Sequence, residues 1–232
     1  EFEKYYGKIP ESSKIGLTHP STDNQSLLRS QISQIAEDVF QNCSLYYIDE
    51  ASATVQFIDK EIGFLTTKPQ TIFVIDSGGG TTDYAVAKAQ YPFIFIHKHE
   101  PLEILEVLSE RVGGRNIDSE ILNNIQNIKS SKNSRDIELA LNKITSAKEK
   151  YNWSSKKDFV VSQGAKISYR SFLKLTAKVV KTITDRAVTI INKYKSTKNE
   201  IQAIILAGGN SKIPIIRLGL ITNNVVIKDV PE

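Results

Sequence analysis

Hydrophobic and polar positions follow two different periods along the chain, and together they predict an α/β protein. Short runs of β-forming residues between polar or glycine-containing segments are typical of strands. Such runs lie at 14–18, 45–48, 72–75, 84–87, 91–98, 102–108, 158–162, 165–168, 201–206 and 225–227. Apolar residues at helical spacing predict helices after residue 24, over 51–59, after 114, around 137–151 and over 169–194. Because strands and helices follow one another, we expect a sheet flanked by helices.

The longest predicted helix follows Ser168, whose hydroxyl suits an N-cap. One face of this helix is apolar and is expected to form core. It carries Phe172, Leu175, Val179, Ile183, Ile190 and Tyr194. The segment 128–134 is rich in Lys, Ser and Asn and predicts an exposed loop.

A glycine-rich bend between two apolar runs dominates the pattern. Gly78, Gly79 and Gly80 allow backbone conformations denied to other residues, and successive N–H groups in such a bend form a nest for anions, above all phosphate. Asp76 ends the first strand and Asp83 begins the second. Two carboxylates beside a phosphate nest favour a bridging cation, and Mg²⁺ is the usual bridge between carboxylate and phosphate oxygens. The pattern therefore predicts a metal and nucleotide site.

The next two residues, Thr81 and Thr82, supply hydroxyl groups for phosphate oxygens or bound water. The alternative is an ordinary glycine hairpin in which the aspartates only stabilise the turn, since Asp and Gly are common turn residues. The glycines alone do not decide between these interpretations.

A second glycine pair follows the strand at 201–206. A strand, Gly208 and Gly209, and a new helix together place free N–H groups and the positive end of a helix dipole at one point. This arrangement suits a phosphate or a ribose. The alternative is a helix start in which the glycines serve only packing.

Composition narrows the function classes. The 232 residues are 40% hydrophobic and 24% charged, with a formal net charge of +4, which is ordinary for a globular protein. No dense Lys/Arg block with interleaved aromatic residues occurs, so we expect no nucleic-acid partner. The longest apolar runs are far shorter than a bilayer span, so we expect no membrane association. The single Cys43 suits a reducing compartment, and we expect a cytoplasmic location.

The string Asp-Ser-Gly-Gly-Gly-Thr-Thr-Asp at 76–83 resembles the second phosphate motif of the superfamily of actin, hexokinase and the seventy-kilodalton heat-shock chaperones. The chaperones carry Asp-Leu-Gly-Gly-Gly-Thr-Phe-Asp there. Ser77 and Thr82 depart from that motif, and we expect neither to touch the phosphate cradle. Gly-Gly-Asn-Ser-Lys-Ile-Pro at 208–214 is similar to the chaperones' adenosine motif, Gly-Gly-Ser-Thr-Arg-Ile-Pro, with Lys212 in place of an arginine that lies over the adenine.

Three weaker matches add site residues by resemblance. Asp-Glu-Ala-Ser-Ala at 49–53 resembles the chaperones' Asn-Glu-Pro-Thr-Ala, which implies a place for Glu50 near the catalytic water or the metal. Gly-Gly-Arg-Asn-Ile-Asp at 113–118 resembles Gly-Gly-Glu-Asp-Phe-Asp, which implies a contact between Gly114 and nucleotide. The alternatives are a favourable acid in the first turn of a helix for Glu50 and an ordinary turn for Gly114.

The third match lies on a predicted helix. Ala-Lys-Glu-Lys at 147–150 resembles the chaperones' Ala-Lys-Arg-Thr, in which a lysine and an arginine flank the adenosine. Lys148 fits this role, whereas Glu149 replaces a cation that would stack on the base. The alternative for both residues is a solvated helix face with alternating charges.

The resemblance implies a ribonuclease-H-like, actin-like ATPase fold: a mixed sheet flanked by helices, with a smaller helical and hairpin subdomain. It implies that 1–42 form the last strand and helix of a first lobe. It assigns 43–113 and 169–232 to the second lobe and 114–168 to the inserted subdomain. The first lobe's own phosphate loop and lysine have no counterpart in this sequence.

The implied function is that of the ATP-binding lobe of a heat-shock-type chaperone, with ATP or ADP and Mg²⁺ as ligands. Asp76 and Glu50 are the implied catalytic residues, and Asp76 and Asp83 would orient Mg²⁺. The implied nucleotide contacts are Gly78, Gly79, Gly80, Thr81, Gly114, Lys148, Gly208, Gly209, Asn210 and Lys212.

The implied partners are the first lobe and substrate-binding domain of the same protein, a nucleotide-exchange factor and a co-chaperone. Without the first lobe's lysine, we expect feeble turnover from this chain alone. Two alternatives are a pseudo-ATPase that serves as an interaction module and an actin-like filament or cell-shape protein. Changes at Arg115, Glu149 and Lys212 favour the first alternative.

Overall fold

The structure is a computed structural model, and it describes residues 10, 12–19, 25–62, 70–89, 103–125, 134–162, 165–220 and 226–229. The predicted strand at 91–98 and the predicted helix position Ile128 lie outside the described residues, as does most of the predicted loop at 128–134.

Strands and helices follow one another along the chain as the sequence predicts. The first part contains β1 (Lys14–His19), α1 (Gln25–Val39), β2 (Ser44–Asp49), α2 (Glu50–Ile62), β3 (Gln70–Ser77), β4 (Thr82–Ala89) and β5 (Glu103–Glu110). The middle contains α3 (Gly114–Asn124), α4 (Ser134–Glu149), a 3₁₀ turn (Trp153–Ser155), β6 (Phe159–Ser162) and β7 (Ala165–Ile167). The last part contains α5 (Tyr169–Tyr194), β8 (Ile201–Ala207), a second 3₁₀ turn (Gly209–Lys212), α6 (Pro214–Leu220) and β9 (Val226–Asp229).

The central sheet is mixed and has the strand order β5-β4-β3-β8-β9. The pairs β3–β4 and β4–β5 are antiparallel, whereas β8 runs parallel to both β3 and β9. β3 therefore lies in the middle, hydrogen-bonded to β4 on one side and to β8 on the other. This order brings the turn after β3 next to the turn after β8, although the two are far apart in sequence.

Apolar residues cover both faces of β3, which explains its uninterrupted hydrophobic run. Ile72 and Val74 pack with Ala51 and Val55 of α2 on one face. The other face of the sheet carries the larger core, to which β3 contributes Phe73 and Ile75. That core also includes Tyr84, Ile117, Ile121, Ile144, Phe172, Val180, Ile183 and Ile204. The predicted α/β fold, a mixed sheet flanked by helices, is confirmed.

The longest helix, α5, begins as predicted. The backbone N–H of Ser171 donates to Ser168 Oγ at 3.2 Å, so the predicted N-cap is confirmed. β6 and β7 form a separate antiparallel pair, in agreement with the predicted hairpin. An aromatic cluster of Tyr151, Trp153, Phe159 and Phe172 packs this hairpin against α4 and α5.

The first part of the chain forms a separate two-stranded parallel sheet, in which β1 pairs with β2. The helix between them, α1, exposes the apolar side chains of Leu27, Ile35 and Val39. Among the described residues, no helix has the length and apolar character needed to cross a membrane.

Candidate functional site

The glycine turn between β3 and β4 is tight and open to solvent. The N–H of Gly78 donates to the carbonyl oxygen of Thr81 at 3.0 Å, which closes the bend. Gly79 and Gly80 are exposed, and a Cβ at either position would meet no atom within 4 Å. Within the described part of the chain, their amides donate to no backbone oxygen. The turn therefore offers N–H groups to an anion, as its sequence predicts.

The carbonyl side of the same turn is occupied by the start of α3. The N–H of Gly114 donates to Gly78 O at 3.0 Å, and the N–H of Arg115 donates to Gly79 O at 2.7 Å. A Cβ on Gly113 would lie 2.8 Å from Gly78 O, so only glycine permits this approach without a shift of the backbone. The glycine pair at 113–114 thus has a specific structural reason, which is the close contact between two backbones.

The two aspartates that flank the turn stand opposite each other. Asp76 and Asp83 are register partners in the β3–β4 pair. Thr54 Oγ1 of α2 donates to Asp76 Oδ2 at 2.8 Å, and Thr81 Oγ1 donates to Asp83 Oδ2 at 3.0 Å. The other oxygen of Asp83, Oδ1, is buried and accepts no hydrogen bond from the residues that the structure describes. A buried carboxylate oxygen without a partner marks a place for a cation or a water molecule.

Negative charge accumulates around this pair. Burial raises the pKa of the Asp83 carboxyl, the hydroxyls of Ser109 and Thr81 oppose the shift, and the charges of Asp76 and Asp49 add to it. Glu50, the first residue of α2, also has a raised pKa. The causes are burial first and then the charges of Asp83 and Asp76, with His19 opposing them. The side chains predicted to serve catalysis and metal binding therefore share one electrostatic environment.

These acids fit a hydrated Mg²⁺. Among the described residues, no group of three or more His, Cys, Asp or Glu side chains is arranged to hold a metal directly. Mg²⁺ does not need such a group, because it keeps several waters and commonly binds one or two carboxylates together with substrate phosphates. The unpartnered Asp83 Oδ1 and the mutual repulsion of three acids supply what such a cation would satisfy.

The loop after β8 approaches the aspartate pair through Gly208. This residue has φ +75°, in the left-handed region that favours glycine. A Cβ there would lie 2.6 Å from Asp76 Oδ1 and would overlap the carbonyl oxygen of Ser77. Gly209, by contrast, has open space at the corresponding point. The two glycines of the second motif therefore differ in role, and only Gly208 is required by contact.

Asn210 fixes this loop to the glycine turn. Its Nδ2 donates to Gly78 O at 2.7 Å and to Ser77 Oγ at 3.1 Å. Ser77 Oγ in turn lies 2.9 Å from Thr82 Oγ1, and Thr82 Oγ1 donates to the carbonyl oxygen of Val112 at 2.7 Å. The hydroxyls of Ser77 and Thr82 thus bond to each other, to Asn210 and to Val112, and the expectation that neither touches the phosphate cradle stays a prediction. The hydroxyl of Thr82 is buried and already donates its proton, so it is not offered to phosphate.

Lys148 of α4 is bound within the protein. Its Nζ donates to Gly114 O at 2.7 Å and lies 2.7 Å from Asp118 Oδ1. The lysine side chain is 11% exposed and the aspartate side chain 2%, so this is a buried ion pair. Thr145 Oγ1 donates to the second oxygen of Asp118 at 2.7 Å. A Cβ on Gly114 would lie 2.7 Å from Lys148 Nζ, so a larger residue there would push the lysine out of its present position.

A cleft of about 460 Å³ lies between the glycine turn, α3, α4 and the loop after β8. Of the predicted nucleotide contacts, it is lined by Gly78, Gly79, Gly114, Lys148, Gly209, Asn210 and Lys212. Gly80, Thr81 and Gly208 do not line it, and Asp76, Asp83 and Glu50 lie beyond the turn. The structure thus divides the predicted residues into a nucleoside-sized cleft and an acidic cluster, with the glycine turn between them.

Sequence reasoning missed several residues of this site. Thr54, Asp118 and Thr145 hydrogen-bond to site residues, and Asn142 and Trp153 line the cleft. The positions Asn142, Thr145 and Lys148 follow one another three residues apart on α4, and this spacing was a signal that all three share one helix face. No comparable local signal marks Thr54.

The comparisons with known proteins agree with this arrangement. The model of one protein family, described as Hsp70 protein, matches residues 56–225, which is well over half of the chain. The matched residues include the glycine turn, both aspartates, the cleft and the loop after β8, whereas Glu50 precedes them. A search among curated proteins finds no match.

Proposed function

The chain belongs to the Hsp70 family and forms a nucleotide-binding domain of the actin-like ATPase kind; on that premise we propose that it binds ATP and ADP with Mg²⁺ and hydrolyses ATP in the intact chaperone. The observation that carries this proposal is the open glycine turn between two carboxylates, one of which has a buried oxygen without a hydrogen-bond partner among the described residues. A turn that binds only its own protein would not combine free amides with uncompensated charge.

In this proposal the nucleotide spans the two halves of the site. The terminal phosphates lie at the amides of Gly79 and Gly80 and at the hydroxyl of Thr81. The nucleoside occupies the cleft between α3, α4 and the loop after β8, whose volume of about 460 Å³ is within the range of small-molecule sites. Lys212 and Trp153 line this cleft and supply a cation and an aromatic ring beside the base.

Asp76 and Glu50 serve the hydrolytic step in this proposal. They accept hydrogen bonds from a water molecule, whose oxygen forms a bond to the γ-phosphorus while the bond from phosphorus to the bridging oxygen breaks. The proton of that water passes to a carboxylate or to the released phosphate, and ADP leaves with the bridging oxygen. The hydroxyl of Thr54 holds Asp76 by its Oδ2 and leaves Oδ1 for the water. Positioning and charge neutralisation supply most of the rate in such reactions.

The metal belongs to the acidic cluster. Asp76 and Asp83 would hold Mg²⁺ through its waters, and the ion, when bound, neutralises charge on the phosphates. The raised pKa values of Asp83 and Glu50 support this assignment, because a nearby cation offsets the repulsion that contributes to raising them.

The chaperone role extends the proposal to partners. A heat-shock-type chaperone couples nucleotide turnover to protein folding, so we propose a first lobe, a substrate-binding domain, a nucleotide-exchange factor and a co-chaperone as the partners of this chain. The division into 1–42, 43–113 with 169–232, and 114–168 remains a prediction. β1 and β2, which pair with each other, lie on opposite sides of the predicted boundary between residues 42 and 43.

A pseudo-ATPase is the second candidate, and a specific observation favours it. Lys148 is already engaged by Asp118 and Gly114 O, so the cation predicted to contact the nucleoside has two internal partners. Glu149 and Arg115 add side chains of changed charge to the same cleft. In this alternative the fold is kept as an interaction module and the cleft takes no nucleotide.

Isothermal titration calorimetry separates the two candidates. We expect the chain to bind ADP in the presence of Mg²⁺ and to bind it more weakly in excess EDTA. Asp83→Asn should lose most of the difference between the two conditions and keep the binding seen in EDTA. The exposed carboxylate of Asp38 on α1 supplies the control Asp38→Asn, for which the magnesium effect should persist. No heat of binding with ADP or ATP under any of these conditions would establish the pseudo-ATPase.

A further inference from the structure

Four groups beneath the glycine turn form one chain of hydrogen bonds whose direction can be assigned. The carbonyl oxygen of Val112 only accepts, so the proton of Thr82 Oγ1 points to it. The proton of Ser77 Oγ is therefore the one shared with Thr82 Oγ1, 2.9 Å away. Asn210 Nδ2 completes the chain by donating to Ser77 Oγ. The same Nδ2 donates to Gly78 O, which fixes the orientation of the amide group.

We call this chain of hydrogen bonds the relay, and its three side chains are almost fully buried. Ser77 is 2% exposed, Thr82 0% and Asn210 5%. A buried hydroxyl that loses its partner has no water to replace it, so each member depends on the next. The relay is thus a connected unit in which one deletion leaves a neighbouring group unsatisfied.

The relay joins the elements that surround the proposed phosphate position. Ser77 ends β3, Thr82 begins β4, Val112 precedes α3, and Asn210 lies in the loop after β8. Gly78 O receives one hydrogen bond from Asn210 and another from the N–H of Gly114, so both of its lone pairs are used. The bend whose amides face the ligand is therefore anchored from behind by the relay and by α3.

The two hydroxyl residues are the two positions at which the phosphate motif departs from the chaperone pattern, and in this chain they contact each other. An apolar residue and an aromatic residue could support a turn by packing alone, whereas Ser77 and Thr82 support it by hydrogen bonds that reach Asn210. The two departures therefore act together, because each hydroxyl has the other as a hydrogen-bond partner.

We propose that Ser77 and Thr82 are positioning residues for phosphate. Their hydroxyls, hydrogen-bonded to Asn210 and to the carbonyl oxygen of Val112, hold the glycine turn in the shape that binds a nucleoside diphosphate with Mg²⁺. The identity of the ligand in this inference rests on the proposed function. The relay itself rests only on the observed hydrogen bonds. Because Asn210 also lines the cleft, the relay links the loop beside the nucleoside to the turn that binds the phosphates.

Thr82→Val tests the relay, because valine keeps the shape of threonine and removes the hydroxyl. We expect amide hydrogen exchange to accelerate about fivefold to tenfold at Gly78, Gly114 and Arg115, beyond any global change, as the loss of one net hydrogen bond allows. Thr176→Val is the matched control. Thr176 is also 0% exposed, and its hydroxyl also donates to a backbone carbonyl, that of Leu173, within α5. It should leave exchange in the turn unchanged.

Binding gives the second measurement. We expect Thr82→Val to weaken the binding of ADP with Mg²⁺ about tenfold and to change the binding of adenosine by less than about twofold, since only the phosphates meet the turn. Thr82→Ser, which keeps the hydroxyl, should restore both values. A variant that merely loosens the fold would change the binding of ADP and of adenosine by the same factor. Any effect of Thr176→Val on binding should likewise be equal for the two ligands.

The outcomes separate the relay from the function it serves. Equal exchange at Gly78 in Thr82→Val and Thr176→Val would overturn the relay, whether or not nucleotide binds. Absence of ADP binding by the natural chain would overturn the proposed function and the phosphate role together, while the exchange data would still decide the relay. If Thr82→Val does not fold, Ser77→Ala removes the preceding hydroxyl without added bulk, and the same comparisons apply.

Discussion

The two sides of the glycine turn differ in whether their buried charged side chains are paired with opposite charges. On the side of β3 and β4, Asp76, Asp83 and Glu50 crowd together, and burial with mutual repulsion raises the pKa values of Asp83 and Glu50, opposed at Glu50 by His19. On the side of α3 and α4, Lys148 and Asp118 form a buried ion pair. Thr145 Oγ1 also donates a hydrogen bond to Asp118, and Lys148 donates one to Gly114 O. The acidic side thus concentrates like charges, whereas the two opposite charges on the lysine side are paired within the chain.

This difference indicates on which side of the turn a bound ligand contributes most to stability. Satisfied buried charges stabilise the fold when intact and cost much when one partner is removed. Like charges that lack a counter-ion destabilise the fold until a cation arrives. We therefore expect substitutions on the lysine side to appear mainly as lost stability and substitutions on the acidic side mainly as lost binding.

The largest effect should come from Lys148→Met. Methionine keeps the length of the side chain but leaves the carboxylate of Asp118, which is 2% exposed, without its counter-ion. We expect a loss of about 3–5 kcal/mol in the free energy of unfolding, the usual cost of breaking a buried pair. Urea denaturation monitored by circular dichroism measures it.

Two controls accompany this variant. The double variant Lys148→Met with Asp118→Asn should recover most of the loss, because no buried charge remains. Lys181→Met breaks the exposed pair that Lys181 forms with Asp185 one turn later in α5 and should cost less than about 0.5 kcal/mol. Unchanged stability in Lys148→Met together with lost ADP binding would make Lys148 a ligand contact and would remove the contrast between the two sides.

A smaller effect is expected at the loop that joins the two sides. Gly208→Ala forces a Cβ into the left-handed conformation at φ +75° and against Asp76 Oδ1 at 2.6 Å. We expect a loss of about 2–3 kcal/mol in the free energy of unfolding from strain and overlap. Because the overlap involves Asp76 itself, binding of ADP with Mg²⁺ should weaken as well.

The neighbouring glycine provides the control. A Cβ at Gly209 would meet no atom within 4 Å, so Gly209→Ala should change stability by less than about 1 kcal/mol. Both variants are compared in the same urea titration. Equal losses in the two would mean that the close approach of Gly208 to β3 does not limit stability.

The sheet and the glycine turn were predictable because their signals are local. The run from Ile72 to Ile75 is apolar without alternation, which is what a strand covered on both faces requires. The bend at Gly78–Gly80 follows from three glycines in a row between two such strands. Periodicity and turn chemistry act over a few residues, so one sequence is enough to read them.

The contacts that distinguish the two sides were not predictable in the same way. Asn210 and Gly78 are 132 residues apart, and Lys148 and Asp118 belong to different helices. Whether Lys148 meets a ligand or an aspartate depends on how α3 packs against α4, and no local pattern encodes that packing. The hydrogen bond between Ser77 and Thr82 was not predicted, because it depends on the strand register that brings them opposite each other.

The smallest effect should come from Asp83→Asn. It should raise the free energy of unfolding, whereas Lys148→Met and Gly208→Ala should lower it. The pKa of Asp83 is raised by burial and by nearby acids, so the folded state holds this proton more tightly than the unfolded state. The contribution of Asp83 to stability therefore falls as pH rises from the ordinary aspartate pKa of 3.8 through the raised pKa of the folded state, and the full penalty applies above it. We expect Asp83→Asn to stabilise the ligand-free chain at pH 7, by less than about 1 kcal/mol.

The pH dependence tells this charge effect from a packing effect. Asparagine keeps an oxygen that can accept from Thr81, so the gain should shrink as pH falls and vanish below pH 3.8, where aspartate is protonated in both states. Thermal unfolding of both chains between pH 3 and pH 7 measures the difference, with Asp38→Asn on the surface of α1 as the control. A gain that is constant with pH would contradict the view that uncompensated charge distinguishes the acidic side. A gain that disappears when Mg²⁺ and ADP are added would locate the missing cation at this carboxylate, because only then does the wild-type aspartate lose its penalty.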